Sequence, residues 1–157
     1  TPENARRLVE AGSAVHRAIN AAVEIVHPSE PALKGLSYVM FTDREADGRL
    51  RGATLMPPGR FDRSPCGTGN AARLALRHAR GEVQVGDSYP AYSIIDSRFD
   101  VSLIGTAEVA GRPAVRAQVS GRGWIHGLHQ IGLDPSDPFP IGFHLSDCWG
   151  DASDLLL

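Results

Sequence analysis

Residues 59–70 read Gly59-Arg60-Phe61-Asp62-Arg63-Ser64-Pro65-Cys66-Gly67-Thr68-Gly69-Asn70. Apolar residues precede this glycine-rich stretch and good helix formers follow it, so the pattern predicts a strand, a tight turn and then a helix. Cys66 would stand at the N-terminus of that helix. Backbone N–H groups are unpaired at such a terminus, and the helix dipole favours a thiolate or a bound anion there.

This arrangement suits a receptor for an amino acid. The backbone amides of 67–70 can bind a carboxylate, and Asp62 can accept a hydrogen bond from a cationic amine. A Cys66 thiolate would then act as a base beside the α-carbon. The commoner alternative is that Cys66 is a small buried apolar residue. Gly-x-Gly is weak evidence too, because the stretch lacks the lysine of a phosphate-binding loop, and both interpretations stay open.

The pattern outside this stretch predicts an α+β fold, with helices packed on a mixed, mainly antiparallel sheet. Helices are expected over 2–26, ended by His27-Pro28, and over 68–78, stopped at Gly81. Asp47-Gly48 is typical of a hairpin turn, and Gly105 indicates a bulge. Strands are expected over 36–42, 51–56, 88–98, 100–109, 113–120 and 124–133, before an irregular tail over 134–150.

Composition excludes several classes of protein. The chain has 157 residues with 16 Lys+Arg and 18 Asp+Glu, so its net charge of −2 argues against nucleic acid or an anionic membrane as partner. No apolar run approaches the roughly 20 residues of a membrane span. Two cysteines do not make a disulfide scaffold, which favours a reducing compartment, the cytoplasm.

Two histidines raise the question of a metal site. His126 and His129 are three residues apart, and residues i and i+3 of a strand point to opposite faces. With Cys148 they remain one ligand short of a structural zinc site. We therefore expect no metal.

Three apolar residues lie near the glycine-rich stretch or farther along the chain: Met56, Phe61 and Phe99. They either line an apolar pocket or, more commonly for such residues, pack in the core.

The octapeptide Asp62-Arg63-Ser64-Pro65-Cys66-Gly67-Thr68-Gly69 resembles the signature of the proline racemase family. That family includes proline racemases, 4-hydroxyproline 2-epimerases and trans-3-hydroxy-L-proline dehydratases. The resemblance continues in the family's order over most of the chain, at residues 71–75, 85–87, 93–95, 97–99, 121–125 and 133–139.

The resemblance implies a cofactor-free enzyme with the diaminopimelate-epimerase-like fold, in which a mixed sheet wraps around a central helix. Two similar domains would close around proline or hydroxyproline, and each would offer one catalytic residue. Cys66 would be the acid/base of one domain. Asp62 would bind the ring amine, the Gly67 and Thr68 amides would hold the carboxylate, and Gly69 would keep the turn open.

Family members carry the second catalytic residue in a motif similar to Cys-Gly-His-Gly, which this sequence does not contain. We therefore expect the chain to be the C-terminal portion of a longer enzyme, lacking its N-terminal domain, and its start at Thr1 directly in a helix agrees with this. Residues 1–120 would be an incomplete second catalytic domain. Residues 121–157 would be a strand and tail that return to the first domain. The sequence does not decide whether the enzyme forms a homodimer.

The residue that faces Cys66 would decide the reaction. A cysteine there gives two bases and hence racemisation or epimerisation, whereas serine or threonine favours elimination of a β-hydroxyl. Residues 127–130, 133–135 and 145–150 resemble the dehydratase branch, so the main prediction is dehydration of trans-3-hydroxy-L-proline by Cys66. The alternative is a 4-hydroxyproline 2-epimerase or proline racemase.

Two interpretations of another class remain. A truncated, non-catalytic domain could bind small amino-acid carboxylates, and a redox thiol protein would need a resolving cysteine near Cys66.

Asp96 stands where the family usually has glycine. Either it adopts the left-handed backbone of that turn, which Asp tolerates, or its charge faces the cleft and repels a carboxylate.

Overall fold

The computed structural model describes residues 1–142. Helices α1 and α2 span Ala5–Ala22 and Gly67–Ala79, and a short 3-10 helix, Pro2–Asn4, precedes α1. The strands described are β1 Val39–Arg44, β2 Leu50–Met56, β3 Arg60–Phe61, β4 Ser88–Tyr92, β5 Arg98–Val109 and β6 Arg112–Gly121.

These strands form one sheet in the order β1-β2-β4-β5-β6, with β3 paired to β2. Strands β2 and β4 run parallel, and all other neighbours run antiparallel. The predicted α+β class with a mixed, mainly antiparallel sheet is therefore confirmed.

Helix α2 packs against strands at both ends of the sheet. Its Leu74 is fully buried in the main core cluster, which also contains Val83, Ala91, Val101 and Leu103. The helix contacts β5 and β6. At its other side Gly69 approaches β1, since a Cβ added to Gly69 would lie 2.7 Å from Met40 Sδ. Strands from both ends of the sheet thus contact α2, as the prediction of a central helix requires.

Helix α1 covers the other face of β1 and β2. A Cβ on its Gly12 would lie 2.6 Å from Leu55 Cδ2 and 3.1 Å from Phe41. Met40 and Phe41 are consecutive in β1 and point to opposite faces of the sheet. Because Met40 meets α2 and Phe41 meets α1, the two helices lie on opposite faces of this hairpin.

Two predicted boundaries near α1 are wrong. The helix ends at Ala22 instead of near residue 26, because residues 25–27 pair with 33–35: His27 N donates to Leu33 O at 2.9 Å, and Gly35 N to Ile25 O at 2.8 Å. The predicted strand 36–42 begins only at Val39. The Asn20 side chain bonds both the N–H and the carbonyl of Leu36 and keeps that residue out of the ladder.

The single strand predicted over 88–98 is wrong as well. It is a short β4, a turn over 93–97, and the start of β5. The Ser93 hydroxyl accepts the N–H groups of Ile95 and Ser97, which diverts them from the sheet. The predicted bulge at Gly105 is confirmed by the register shift between Leu103 and Gly105, and the stop at Gly81 by its φ of 74° just after α2.

The strand predicted over 124–133 does not form. In the part of the chain that the structure describes, those residues belong to no helix and to no strand of the sheet. The chain divides into two units, Thr1–Gly123 and Trp124–Leu157. Turns occupy the described part of the predicted irregular tail, up to residue 142. The remainder of that tail and Cys148 lie outside the described residues.

Candidate active site

Cys66 is the N-cap residue of α2, and it is 5% exposed. Its Sγ accepts a hydrogen bond from the Gly69 N–H at 3.2 Å, and Thr68 Oγ1 lies 3.6 Å away. The partial positive charge of the helix terminus acts on the same atom. The Cys66 sulfur therefore lies beside a backbone donor, at the positive end of the helix dipole.

The backbone of Cys66 is strained, and its neighbours hold it in place. Its φ of 66° is in the left-handed region, which costs a non-glycine residue about 1–3 kcal/mol. Cys66 N donates to Ser64 Oγ at 3.1 Å, and Asn70 Nδ2 donates to the carbonyls of Pro65 at 2.6 Å and Cys66 at 2.9 Å. Strain at this point is typical of functional sites.

Asn70 is thus a supporting residue that sequence reasoning missed. The sequence predicts Asn70 only as one of several backbone donors, yet its buried side chain closes the loop. The available signal was an amide side chain one turn into a helix that follows a glycine-rich turn.

The structure narrows the set of free amides. Of the four expected N–H donors, Gly69 bonds the Cys66 sulfur and Asn70 bonds the Cys66 carbonyl at 3.1 Å. The N–H groups of Gly67 and Thr68 meet no acceptor among residues 1–142. These two amides, assigned to a carboxylate from the resemblance, are therefore the donors available to an anion at this terminus.

Cys66 opens onto a cavity of about 480 Å³ between α2 and the β1–β2 hairpin. Thr68 and Gly69 line it from the helix, and Met40 and Thr54 from the sheet. A methyl group on Gly69 would lie 3.1 Å from Cys66 Sγ and 2.7 Å from Met40 Sδ, so glycine leaves the space in which the sulfur lies. A sulfur that faces a cavity is better placed for chemistry than one enclosed by aliphatic side chains.

Asp62 lies on the same loop but lines a different concavity, with Met56, Phe61 and Ser64. Its Oδ1 accepts the Ser64 N–H at 2.8 Å, and its own N–H donates to the Thr54 carbonyl at 2.9 Å. The structure therefore brings Cys66, Thr68 and Gly69 to one cavity and Asp62 to its neighbour. Phe99 packs against the core and lines neither of these cavities.

Arg73 adds a positive charge to the Cys66 cavity, and sequence reasoning did not single it out. Burial lowers the pKa of its guanidinium, and no acidic side chain pairs with it within residues 1–142. Arg73 is seven residues after Cys66, a spacing that puts both on one helix face and that was the signal available.

The structure decides between the two interpretations of Asp96. Its φ is 63°, so it adopts the left-handed conformation that glycine would take. Its Oδ1 lies 2.6 Å from Arg51 Nη2 and 3.4 Å from Arg49 Nη1. The turn is formed and the charge is paired with arginine.

Among residues 1–142, no three side chains of His, Cys, Asp and Glu lie close enough together to hold a metal ion, and this includes His126 and His129. None of the helices in this part of the chain has the length and apolar character that crossing a bilayer requires.

The fold and the site define an α+β protein with a thiol at a helix N-terminus where two backbone amides have no acceptor within residues 1–142. The family model described as proline racemase matches residues 1–144, and the chain belongs to the proline racemase family. It is 55% identical over 147 residues to the 4-hydroxyproline 2-epimerase of Agrobacterium fabrum, covering 94% of this chain and 43% of that protein. It is 44% identical over 141 residues to the enzyme of the same name from Streptosporangium roseum, covering 89% and 42%.

Solved structures agree with this assignment. A hydroxyproline epimerase from Agrobacterium vitis with bound trans-4-hydroxy-L-proline matches at a TM-score of 0.79 and 52% identity, over 99% of this chain and 45% of that one. A probable proline racemase from Agrobacterium radiobacter with bound carbonate matches at 0.78 and 51%, over 98% and 45%. The predicted diaminopimelate-epimerase-like fold is confirmed, and the chain spans less than half the length of these relatives.

Proposed function

We propose that this chain is the C-terminal catalytic portion of an enzyme that epimerises 4-hydroxyproline at its α-carbon without a cofactor. Relatives 44–55% identical carry that enzyme's name, and this favours the epimerase alternative over dehydration of trans-3-hydroxy-L-proline. In this proposal residues 1–120 belong to the second catalytic domain and 121–157 return to the first. The cytoplasmic location and the homodimer stay predictions.

One observation carries the catalytic role of Cys66. Its sulfur is almost buried, accepts the Gly69 N–H, and faces a cavity beside two backbone amides that have no acceptor within residues 1–142. A base and a carboxylate site are therefore next to each other, as proton removal from an amino acid requires.

The chemistry follows from these positions. The Cys66 thiolate takes the α-proton: the Cα–H bond breaks, an S–H bond forms, and the electron pair is delocalised into the substrate carboxylate. The Gly67 and Thr68 amides stabilise the charge that grows on that carboxylate. In this proposal the substrate lies between the two concavities, so that Asp62 holds the ring ammonium from the neighbouring one. An acid supplied by the rest of the enzyme delivers a proton to the opposite face.

The test uses the intact polypeptide that carries this chain, with trans-4-hydroxy-L-proline in deuterated water. We expect inversion and deuterium at Cα, followed by optical rotation and proton NMR. Cys66→Ala should lower the rate by about 10³-fold, within the range for losing a general base. Cys148→Ala is the matched thiol control and should retain activity.

Other outcomes favour other functions. A cyclic imine formed from trans-3-hydroxy-L-proline, without inversion of 4-hydroxyproline, would identify the dehydratase. Full activity of Cys66→Ala would remove Cys66 from the mechanism. If Cys66 resists iodoacetamide and no substrate is turned over, the chain is a carboxylate-binding domain. A disulfide between Cys66 and Cys148 under mild oxidation would point to a redox thiol protein.

A further inference from the structure

The turn over residues 93–97, which joins β4 to β5, lies against the loop that carries Asp62 and Cys66. Ser97 Oγ donates a hydrogen bond to the Arg63 carbonyl at 2.6 Å. Arg63 directly follows Asp62 and precedes Cys66 by three residues. This contact therefore joins the turn to the loop between the two proposed substrate-binding and catalytic side chains.

We propose that Ser97 is a positioning residue for the reaction, one that sets the relative position of Asp62 and Cys66 through the Arg63 carbonyl. The inference rests on the proposed function, because it assigns a role in the same site. Ser97 itself lines neither the Cys66 cavity nor the Asp62 concavity.

The Ser97 hydroxyl has a defined orientation because its own turn is closed. The Ser93 side chain is 0% exposed, and its Oγ accepts the N–H groups of Ile95 and Ser97, both at 3.2 Å. The Ser93 and Ser97 hydroxyl oxygens lie 2.7 Å apart, and Ser93 N donates to the Ser97 carbonyl at 2.9 Å. Outside its own turn, the Ser97 hydroxyl therefore bonds the Arg63 carbonyl.

Arg51 anchors the turn to the sheet. Its side chain is 13% exposed, and its Nη1 donates to the Ser93 carbonyl at 2.6 Å. Its Nη2 contacts Asp96 at 2.6 Å and its Nε contacts Glu45 at 2.7 Å. Arg51 thus ties the 93–97 turn to β2 and to the loop between β1 and β2.

These contacts make a continuous path from β2, through Arg51 and the closed turn, to Ser97 and the site loop. Catalytic groups need support of this kind, because a misplacement of 1 Å can reduce a rate by about 100-fold. The ion pair between Asp96 and Arg51 is part of this path, because it holds the turn in the conformation that places Ser97 against Arg63.

The test compares Ser97→Ala with Ser97→Thr in the intact polypeptide. Ser97→Ala should lower kcat about 10-fold, which is less than the loss of about 100-fold for a misplacement of 1 Å. The change in KM should be smaller. Ser97→Thr keeps the hydroxyl and should restore most of kcat. Ser102→Ala is the matched control, because Ser102 lies on β5, the strand that follows the turn, and has no side-chain hydrogen bond within residues 1–142.

A second measurement needs no substrate. Loosening the loop should expose the Cys66 sulfur, so iodoacetamide should alkylate it several-fold faster in Ser97→Ala than in the parent or in Ser97→Thr. If the parent does not act on hydroxyproline, the proposed function fails while this alkylation difference still supports the positioning role. Unchanged kcat and unchanged alkylation in Ser97→Ala, or a loss that Thr does not rescue, would overturn the inference.

Discussion

Cys66 combines three requirements in one residue. It caps a helix, it holds a left-handed backbone, and it presents a sulfur to a cavity. The first turn of α2 contributes the stabilising contacts, through Gly69 N–H on the sulfur and the Asn70 amide on two carbonyls. Each such hydrogen bond contributes about 0.5–1.5 kcal/mol, enough together to offset the backbone strain.

At Asp62, the effect of the negative charge can be measured separately from the effect of the hydrogen bond that closes the turn. Its Oδ1 accepts the Ser64 N–H, and an asparagine carbonyl can do the same. In the intact polypeptide, Asp62→Asn should keep the turn and the melting temperature while weakening the binding of hydroxyproline by about 10- to 100-fold, since it removes a charged acceptor.

Asp62→Ala is the comparison, because it removes the turn bond as well and should also lower the melting temperature. Isothermal titration and thermal unfolding measure the two effects separately. Unchanged affinity in Asp62→Asn would remove Asp62 from amine binding.

Among the elements, the β5–β6 hairpin provides much of the surface on which α2 packs. Its strands are joined by two residues, Ala110 and Gly111, with φ of 50° and 76°. Two consecutive positive φ values define a type I′ turn, in which asparagine followed by glycine is favoured. Alanine at the first position is therefore a local defect.

We expect Ala110→Asn to stabilise the fold by about 0.5–1 kcal/mol, because asparagine tolerates the left-handed region better than alanine. Gly111→Ala should destabilise it by about 1–2 kcal/mol. A Cβ at Gly111 would meet no atom within 4 Å, so that loss would report backbone strain alone. Urea unfolding of the chain measures both, and equal stability of the two variants would contradict the turn assignment.

At the scale of the whole molecule, Thr1–Gly123 forms a unit with its own sheet and core. Beyond it, large apolar side chains are left in solvent: Ile125, Leu128, Ile131 and Ile141 are between 89% and 97% exposed. Exposed apolar groups of this kind commonly mark a surface that another part of a protein covers. This agrees with a chain that spans less than half the length of its relatives.

A chain that ends at Gly123 should therefore fold. We expect it to unfold cooperatively with a melting temperature close to that of the 157-residue chain, and to self-associate less because the exposed apolar side chains are gone. Circular dichroism and light scattering test the two statements. Loss of cooperative unfolding would show that residues after 123 are needed for the core.

The sequence alone was enough to derive the α+β class, the helix that begins at the Cys66 loop, the Gly105 bulge and the family. These depend on local signals, such as hydrophobic period, glycine positions and a contiguous motif, which are readable along the chain. The prediction of a strand over 124–133 was wrong, because an apolar run forms a strand only where the edge of a sheet is available to pair with it. The division of 88–98 depended on the hydroxyl of Ser93.

Only the tertiary structure placed Asp62 and Cys66 at separate concavities, left two of the four amides of residues 67–70, those of Gly67 and Thr68, without an acceptor within residues 1–142, and brought Ser97 against the site loop. Ser97 and Arg63 are 34 residues apart, and no periodicity or motif reports such a contact. Side-chain bonds between distant segments depend on how the elements pack together in three dimensions, which local preference along the chain does not determine.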